Sequence, residues 1–576
     1  MRCCVRFANW VHPGEIPAAL LWAGVVGCLG GVCALLFREL IQLCQWLFTQ
    51  HTGSFVQTAT ELPWWQRLAT PAVGGLLAGL VLRFGSRFVR AQRSADYMEA
   101  LAIGDGIIRV RPSLVKSASS LLSISSGASI GREGAMVQLA ATLASWLGRR
   151  LGMSTPSLRL LVACGTAAGI ASVYNAPIAG ALFVAEVILG SIAMESFGPL
   201  VLAAVMGTLT SRYLGGPEVY FASSTFQLIS PWEVIPYMIL ALGVGLIAPW
   251  YVRLLRKSED VFARLAPPIC LRFTLGGIVV GLISILCPEV WGNGRSMVTL
   301  LLKSTWPWTT LGLLLLLKLL ATSATVGSGA VGGIFTPTLL IGALLGGLLG
   351  HAAGAVWPNQ IGGPEAYALV GMGGFLAATT RAPLMSMLMV FEMTLDYGVV
   401  LPLMLVSVTA YFTARRLDHD SIYSDSLRRK QSAQPEPEPL AMHVSDLMKP
   451  PPPSVRETAP FSEVARFFAS HPYNSLQVVS ENNRLRGVIV LHDVKNNLQE
   501  TELAGVVTAS DLMHIHHHTA TPETRLLDVL ELFKDHAGER LPVVNNAQEQ
   551  LLIGSISKTD LMLTLAHRLQ GAPRSP

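Results

Sequence analysis

The chain contains two diverged copies of one apolar segment. The motif SGASIGREGA at residues 126–135 returns as SGAVGGIFTP at 328–337, and NAPIAGALFVAE at 175–186 returns as RAPLMSMLMVFE at 381–392. Duplicated halves with glycine-broken hydrophobic segments are typical of transporters and channels whose site lies near the middle of the membrane. The sequence therefore predicts a polytopic all-α membrane protein of two repeats with broken helices, roughly residues 20–215 and 230–425.

The composition also indicates a membrane protein. Of the 576 residues, 51% are hydrophobic and only 14% are charged, with a mean hydropathy of +0.48, whereas soluble domains carry about 25% charged residues. The net charge of +5 comes from scattered basic residues without interleaved aromatics, so no nucleic-acid partner is expected. Arg2 and Arg6 precede the first span, and Arg415 and Arg416 follow the last, which predicts that both termini are cytoplasmic.

A second region follows the membrane domain predicted at 1–428. A Pro/Glu-rich linker at 429–441 leads into short β-branched runs that alternate with amphipathic helical stretches, a pattern that indicates a cytoplasmic α/β region. This region also repeats, because GVIVLHD at 487–493 returns as GSISKTD at 554–560. Each of the two predicted units, 442–500 and 505–570, is small for an independent domain, so we expect them to pack together.

The ten-residue motif suits anion binding in its chemistry. Both copies place small residues before a possible helix start, where unpaired backbone N–H groups and the helix dipole attract negative charge. Glu133 lies inside the first copy, and a carboxylate within a membrane segment is a functional hypothesis by default. We predict that ionised Glu133 occupies the anion site and that protonated Glu133 leaves it. The alternative is a structural carboxylate paired with Arg132.

These motifs resemble the CLC family of chloride channels and chloride/proton exchangers of bacterial type. GREGA at 131–135, NAPIAG at 175–180, GGIFTP at 332–337 and SIYS at 421–424 match that family's motifs in order. The resemblance implies a homodimer in a lipid bilayer, the bacterial inner (plasma) membrane, with one pathway per subunit. It also implies that the two repeats of each subunit are inverted relative to each other. It also implies chloride as the transported ion, accompanied by protons in the exchanger members, and no cofactor in the membrane domain.

The resemblance assigns roles to individual residues. Glu133 matches the gating glutamate, the backbone N–H groups of Ile334 and Phe335 match those that bind the central anion, and the Tyr423 hydroxyl matches one that contacts it. The remaining predicted anion-binding positions surround the gate: Gly131, Arg132 and Gly134.

Two departures from the family pattern affect the mechanism. The family's GSGIP signature supplies a serine to the central site, but residues 91–101 read AQRSADYMEAL, in which Ser94 is the candidate substitute. Many exchangers carry a proton-relaying glutamate where this chain has Val187, which favours a passive channel over an exchanger. A membrane-embedded anion or nucleotide sensor is the third alternative. The neighbouring Glu186 and its counterpart Glu392 match each other in the two repeats, so we expect them to have a structural role at helix ends.

The C-terminal units resemble a tandem pair of CBS domains. GSISKTDL at 554–561 resembles that family's ribose and phosphate motif, which implies that Asp560 accepts ribose hydroxyls and Ser557 lies near ribose or phosphate. The first copy retains Asp493 but has Val490 in place of a hydroxyl. Either one unit binds an adenine nucleotide, or the pair is a regulatory or dimerising module without a ligand. No metal site is expected at HIHHH (514–518), and no enzyme motif is present in the sequence.

Overall fold

The protein divides into two compact units, Met1–Arg429 and Lys430–Pro576. The structure is a computed structural model. It describes residues 15–88, 96–102, 104–191, 193–216, 220–221, 226, 229–265, 268–358, 360–424, 442–470, 475–492, 494, 507–515, 518–534, 539–546, 548–562 and 564.

The first unit is helical, and its helices fall into two series. The first series is α1 (Glu15–Thr49), α2 (Phe55–Glu61), α3 (Trp64–Phe88), α4 (Tyr97–Ala102), α5 (Val110–Ser125), α6 (Glu133–Arg150), α7 (Thr155–Tyr174), α8 (Pro177–Leu182) with a π-helix (Phe183–Ile188), and α9 (Met194–Gly215). The second series is α10 (Val234–Arg264), α11 (Ile269–Leu286), α12 (Arg295–Leu301), α13 (Trp308–Gly327), α14 (Phe335–Val356), α15 (Pro364–Thr380), α16 (Pro383–Thr394) and α17 (Val400–Leu417).

Several of these helices are long and apolar enough to cross a membrane. In the described part of the chain there are eight such segments: Ala18–Thr49, Trp64–Gly85, Thr155–Tyr174, Pro231–Arg264, Ile269–Leu286, Trp308–Gly327, Phe335–Val356 and Tyr397–Leu417. Others are much shorter than the roughly 20 residues that a span needs, as α4, α8 and α12 show. Short helices of this kind can end inside a membrane protein only where protein groups satisfy their free backbone ends.

The two series repeat each other down to individual backbone angles. Helix α7 ends at Asn175 in the left-handed region (φ 60°), and α15 ends at the matching Arg381 (φ 63°). A proline at the first helical position then starts α8 and α16, where its fixed φ suits a helix start. Arginine is unusual in the left-handed region. Its guanidinium donates to the carbonyls of Ala414 and Asp418, which helps to hold that conformation.

Close packing between the series depends on glycine. Helices α3 and α11 pack face to face, and a Cβ added at Gly75 or Gly277 would collide with the backbone of the opposite helix, at Phe273 and Pro71 respectively. Small residues at such contacts let membrane helices approach closely, where dispersion rather than the hydrophobic effect holds them together.

The second unit has α/β structure in two similar halves. Strands β1 (Ser454–Arg456), β2 (Ser475–Val479) and β3 (Leu485–Val490) form one sheet in that order, with β1 parallel and β3 antiparallel to β2. Strands β4 (Arg540–Val544) and β5 (Leu552–Ser557) form an antiparallel pair. The β2–β3 pair has a register shift at Val478/Val479, and the β4–β5 pair has the equivalent shift at Val543/Val544. In the described part of this unit, the short helical elements are Val444–Asp446, α18 (Phe461–Ser470), α19 (Ala509–Leu512) and α20 (Leu526–Leu532).

The sequence DLM occurs at residues 446–448 and again at 511–513, and its aspartate has a local structural role. Asp446 and Asp511 each accept a hydrogen bond from the backbone N–H three residues earlier, at His443 (3.0 Å) and Thr508 (2.8 Å). Each therefore completes a capping box at the start of a helix. The Thr508 backbone and hydroxyl bonds hold the pKa of Asp511 below its usual range. The halves pack through Val479, Leu485, Val544 and Leu552.

Candidate anion-binding site

The two copies of the ten-residue motif meet through their glycines. The N–H of Gly131 donates to the carbonyl of Gly333 (2.6 Å), and the N–H of Gly333 donates to the carbonyl of Gly131 (2.8 Å). These are matching positions of the repeat, and they pair as an antiparallel bridge. An antiparallel pair of equivalent residues implies a local two-fold axis between them, as inverted repeats require. The starts of α6 and α14 are thereby brought together.

Glu133, the first residue of α6, places its carboxylate on the start of α14. Its Oε1 accepts hydrogen bonds from the backbone N–H of Phe335 (2.9 Å) and of Thr336 (3.3 Å), and its Oε2 accepts one from the Thr336 hydroxyl (3.3 Å). The side chain is buried, with 5% exposure. A carboxylate at a helix N-terminus uses the same free N–H groups and dipole that bind inorganic anions.

Three glycines leave room for this carboxylate and for the loop contact. A Cβ at Gly131 or at Gly333 would collide with the carboxyl end of Glu133, and a Cβ at Gly134 would meet the backbone of Gly332 and Gly333. Gly131 and Gly134, predicted as anion-binding positions, therefore shape the space around the Glu133 carboxylate and its loop.

Two other predicted site residues, Ile334 and Arg132, lie at the same two helix starts. Ile334 is the N-cap of α14 and Arg132 the N-cap of α6, and the buried Nε of Arg132 has no hydrogen-bond partner among the described residues. The Tyr423 ring packs edge-to-face on Phe183, with centroids 5.6 Å apart. Ser94 lies outside the described residues. Arg132 forms no ion pair with Glu133, which instead bonds to α14.

Two residues that the sequence analysis missed complete the surroundings of the Glu133 carboxylate. Thr336 donates through both its backbone and its hydroxyl to Glu133, and the Tyr174 hydroxyl lies 3.0 Å from the Thr336 hydroxyl. The Tyr174 ring also packs on Phe335, with centroids 4.9 Å apart. Each adjoins a recognised motif, since Thr336 is within GGIFTP and Tyr174 directly precedes NAPIAG. Only the contact across the repeats shows that they belong to the site.

Glu186 and Glu392 cap helices reciprocally between the repeats. Glu186 accepts hydrogen bonds from the N–H groups of Leu384 (3.3 Å) and Met385 (2.8 Å) at the start of α16. Glu392, on α16, accepts from Ile178 (3.0 Å) and Ala179 (2.8 Å) at the start of α8. The expected structural role at helix ends is confirmed. Val187 follows Glu186 in the π-helix and is partly buried against the core.

A cavity is lined in part by Arg132, the residue before Glu133. Its volume is about 650 Å³, and four cationic residues line it: Arg38, Arg132, Arg295 and Lys303. The other described lining residues are neutral, among them Gln42, Gln45 and Asn293. A cavity walled by one sign of charge concentrates ions of the opposite sign. The cavity therefore favours anions beside Arg132.

The C-terminal unit shows one of its predicted nucleotide residues already paired. The Asp560 carboxylate lies 2.7 Å from Lys449 Nζ, and the Ser557 hydroxyl accepts a 3.4 Å hydrogen bond from the Asp560 N–H. Asp493 lies outside the described residues. Among the residues that the structure describes, no group of three or more His, Cys, Asp or Glu side chains is placed to hold a metal ion.

Comparison with known proteins gives consistent matches. Residues 74–415 match the family "Voltage gated chloride channel", and residues 444–500 and 509–567 match CBS domains. A "Putative chloride channel protein ClcB-like" from Ralstonia nicotianae is 50% identical over 71% of this chain and 96% of its own. A "Voltage-gated ClC-type chloride channel ClcB" from Salmonella typhimurium is 43% identical over 70% of this chain and 97% of its own.

A solved structure gives the same result for the fold. The crystal structure of "a slow cyanobacterial Cl-/H+ antiporter" superposes with a TM-score of 0.65 at 27% identity, covering 73% of this chain and 99% of that one. The predicted fold class, a mostly helical polytopic membrane protein with a C-terminal α/β region, is confirmed. The family contains channels and transporters, which also confirms that the chain is not an enzyme. The chain belongs to the CLC family of chloride channels and transporters and carries a C-terminal tandem pair of CBS domains.

Proposed function

We propose that this protein conducts chloride passively across the membrane, with protonation of Glu133 as the gate. The observation that carries the proposal is the hydrogen bond from the Phe335 N–H to Glu133 Oε1. An anion bound at Phe335 and the ionised carboxylate need the same donor, so they compete for it. Protonation removes the negative charge from the carboxylate and weakens its hold on the helix start.

Passive conduction is favoured over exchange by Val187. A valine cannot take up or release a proton, and it stands where many exchangers carry the glutamate that relays protons. The relatives from Ralstonia and Salmonella are named as channels. The specific observation for the second candidate, a chloride/proton exchanger, is the structural match to a Cl-/H+ antiporter. A sensor on the same fold remains the third.

We expect reconstituted protein to move chloride without moving protons uphill. Liposomes that contain the full chain are given an outward chloride gradient and no pH gradient, and chloride and external pH are recorded together. Chloride efflux without uphill proton movement supports the channel. Uphill proton movement driven by chloride would assign an exchanger, and no flux above protein-free liposomes would favour the sensor. Val187→Ala, which adds no titratable group, serves as a control that should behave as the wild type does.

The C-terminal unit is proposed to regulate transport, and its nucleotide site depends on Asp560. Because Lys449 already neutralises this carboxylate, an adenine nucleotide must share Asp560 with the lysine or displace it. We expect at most weak AMP binding to the full chain by isothermal titration calorimetry. Any binding should be lost in Asp560→Asn, whereas Asp528→Asn on α20 should not change it. Tight AMP binding that survives Asp560→Asn would contradict this assignment.

The proposed assembly and location follow from the family resemblance. The chain is an integral membrane protein with bacterial relatives. We propose a homodimer in the bacterial inner membrane, with both termini in the cytoplasm. Light scattering of the purified protein tests the dimer, and a protomer mass would contradict it. We also propose the domain limits: a membrane domain at 1–428, a linker at 429–441 and two CBS domains at 442–500 and 505–570.

A further inference from the structure

Tyr97 lies within residues 91–101, the segment that stands in this chain in place of the family's GSGIP signature. It is the first residue of α4, and its backbone N–H donates to Gln138 Oε1 (2.9 Å) on the gate helix α6. The Gln138 amide in turn donates to the Ser113 hydroxyl on α5 (3.0 Å). One buried glutamine therefore ties the start of α4 to the helix that carries Glu133.

A second bond fixes the same helix start from the other side. Asp96, next to Tyr97, pairs with Lys116 on α5 at 2.6 Å between Oδ1 and Nζ. Charge-assisted bonds of this kind are among the stronger polar contacts in proteins. With Asp96 held by α5 and Tyr97 held by α6, the direction in which the tyrosine leaves the backbone is set by two helices rather than by α4 alone.

The Tyr97 side chain borders the same surroundings as Tyr423. Helix α4 packs against α6, α7 and the π-helix, and Phe183 of that π-helix contacts the Tyr423 ring edge-to-face. Both tyrosine side chains pack against the same hydrophobic core, and the Tyr97 backbone is bonded to α6, the helix that begins at Glu133. Two phenols and the gating carboxylate thus share one region of the core.

Both phenol hydroxyls have a free proton to donate. The hydrogen bond found for Tyr97 uses its backbone, the contact found for Tyr423 is between rings, and neither hydroxyl bonds to any residue that the structure describes. Neither hydroxyl oxygen is among the fully buried polar atoms that lack a hydrogen-bond partner. Both hydroxyls are therefore accessible to a small ligand inside the protein. An accessible O–H can donate to water or to an anion, and Glu133 is not its acceptor because that carboxylate is directed to α14.

We propose that Tyr97 donates its hydroxyl to the transported anion, opposite Tyr423, and so replaces the serine that this chain lacks. The inference rests on the proposed function, chloride transport. A monovalent anion between two neutral phenols is stabilised by O–H donors without a full positive charge. Such a site holds the ion weakly enough for it to leave again. The same donors give no reason for protons to accompany the anion.

Chloride binding to the purified full chain tests this assignment. Tyr97→Phe should weaken chloride affinity about tenfold by isothermal titration calorimetry, the size expected when one hydrogen bond to a charged group is lost. Tyr423→Phe should weaken it similarly, and the double variant should bind more weakly than either. Ser94→Ala, the rival for the same role, and Tyr213→Phe, on an 89% exposed side chain, should bind as the wild type does.

The possible outcomes separate the inference from the proposed function. Wild-type affinity in a folded Tyr97→Phe protein, or a loss of affinity in Ser94→Ala instead, overturns the role of Tyr97 while chloride transport stands. Wild-type protein that neither binds nor moves chloride overturns both. The thermal midpoint of each variant shows whether it is folded. If Tyr97→Phe does not fold, Tyr97→Met, which also lacks a donor, is measured in its place.

Discussion

Replacing Glu133 with glutamine is expected to raise chloride flux at pH 7.5 about tenfold and to remove its dependence on pH. A bond to a charged group contributes about 1.5–3 kcal/mol and a neutral one about 1 kcal/mol, so the glutamine holds the start of α14 more weakly by roughly 1.4 kcal/mol, a factor of ten. In the wild type, flux should rise as the pH falls, because protonation removes the same charge. Stopped-flow chloride flux from pH 4.5 to 8 measures both effects.

The control for this experiment removes a carboxylate elsewhere. Glu61→Gln changes an exposed glutamate on α2 that pairs with His51, and it should keep the wild-type pH profile. Gly131→Ala provides an independent route to the same result, because the added methyl group would occupy the space of the Glu133 carboxyl and should displace it. Gly24→Ala, where a Cβ meets nothing within 4 Å, is the matched glycine control.

A wild-type pH profile in Glu133→Gln would disprove the gate. If Glu133→Gln opens the pathway but Gly131→Ala closes it, the carboxylate is still the gate, and the methyl group itself blocks the anion. The double variant distinguishes these cases further. It should conduct no faster than Glu133→Gln alone if both changes act by removing the same group from the start of α14.

Replacing Glu392 with alanine is expected to destabilise the membrane domain by about 3 kcal/mol, the loss of two hydrogen bonds to one charged group. The N–H groups of Ile178 and Ala179 lose their acceptor, and water cannot replace it inside a bilayer. Glu186→Ala should cost less, because Glu186 is less buried than Glu392 and one of its bonds is longer. Thermal unfolding in detergent, followed by tryptophan fluorescence, ranks the two variants.

Leu384→Ala is the control for these capping variants. Its side chain is 40% exposed on α16, next to the N–H groups that Glu186 binds, so it tests truncation at the same helix start without loss of a cap. We expect only a small change in the midpoint. Equal stability of Glu392→Ala and wild type would show that the reciprocal caps contribute nothing, and the duplicated glutamates would then need another explanation.

Local sequence features predicted the framework of the site but not its closure. The repeated glycines placed the starts of α6 and α14, and the family resemblance identified Glu133 and Phe335, because these signals lie within one motif each. The donors from Thr336 and the neighbouring Tyr174 depend on contacts 203 and 162 residues apart in sequence. No periodicity or spacing reports such distances, so these residues were missed.

The same limit explains the ambiguity around the central serine. Residues 91–101 offered Ser94 by residue type alone, whereas the proposal for Tyr97 depends on contacts between helices, those of Asp96 with Lys116 and of the Tyr97 backbone with Gln138. Glu186 and Glu392 show the opposite case. Their matching positions in the repeat predicted helix-end roles correctly, because symmetry in the sequence carries over to symmetry in space. The sequence symmetry did not predict that each glutamate caps a helix of the other repeat.

The reciprocal caps also constrain how the protein is made. The N–H of Ile178 donates to the carboxylate of Glu392, which is synthesised 214 residues later in the chain. At a synthesis rate of about 5–20 residues per second, that interval is roughly 10–40 s. During this time the start of α8 has no partner from its own repeat. Until then, this helix end needs either water at the bilayer surface or another hydrogen-bond acceptor. The first repeat therefore reaches its final structure only after the second repeat has been synthesised and packed against it.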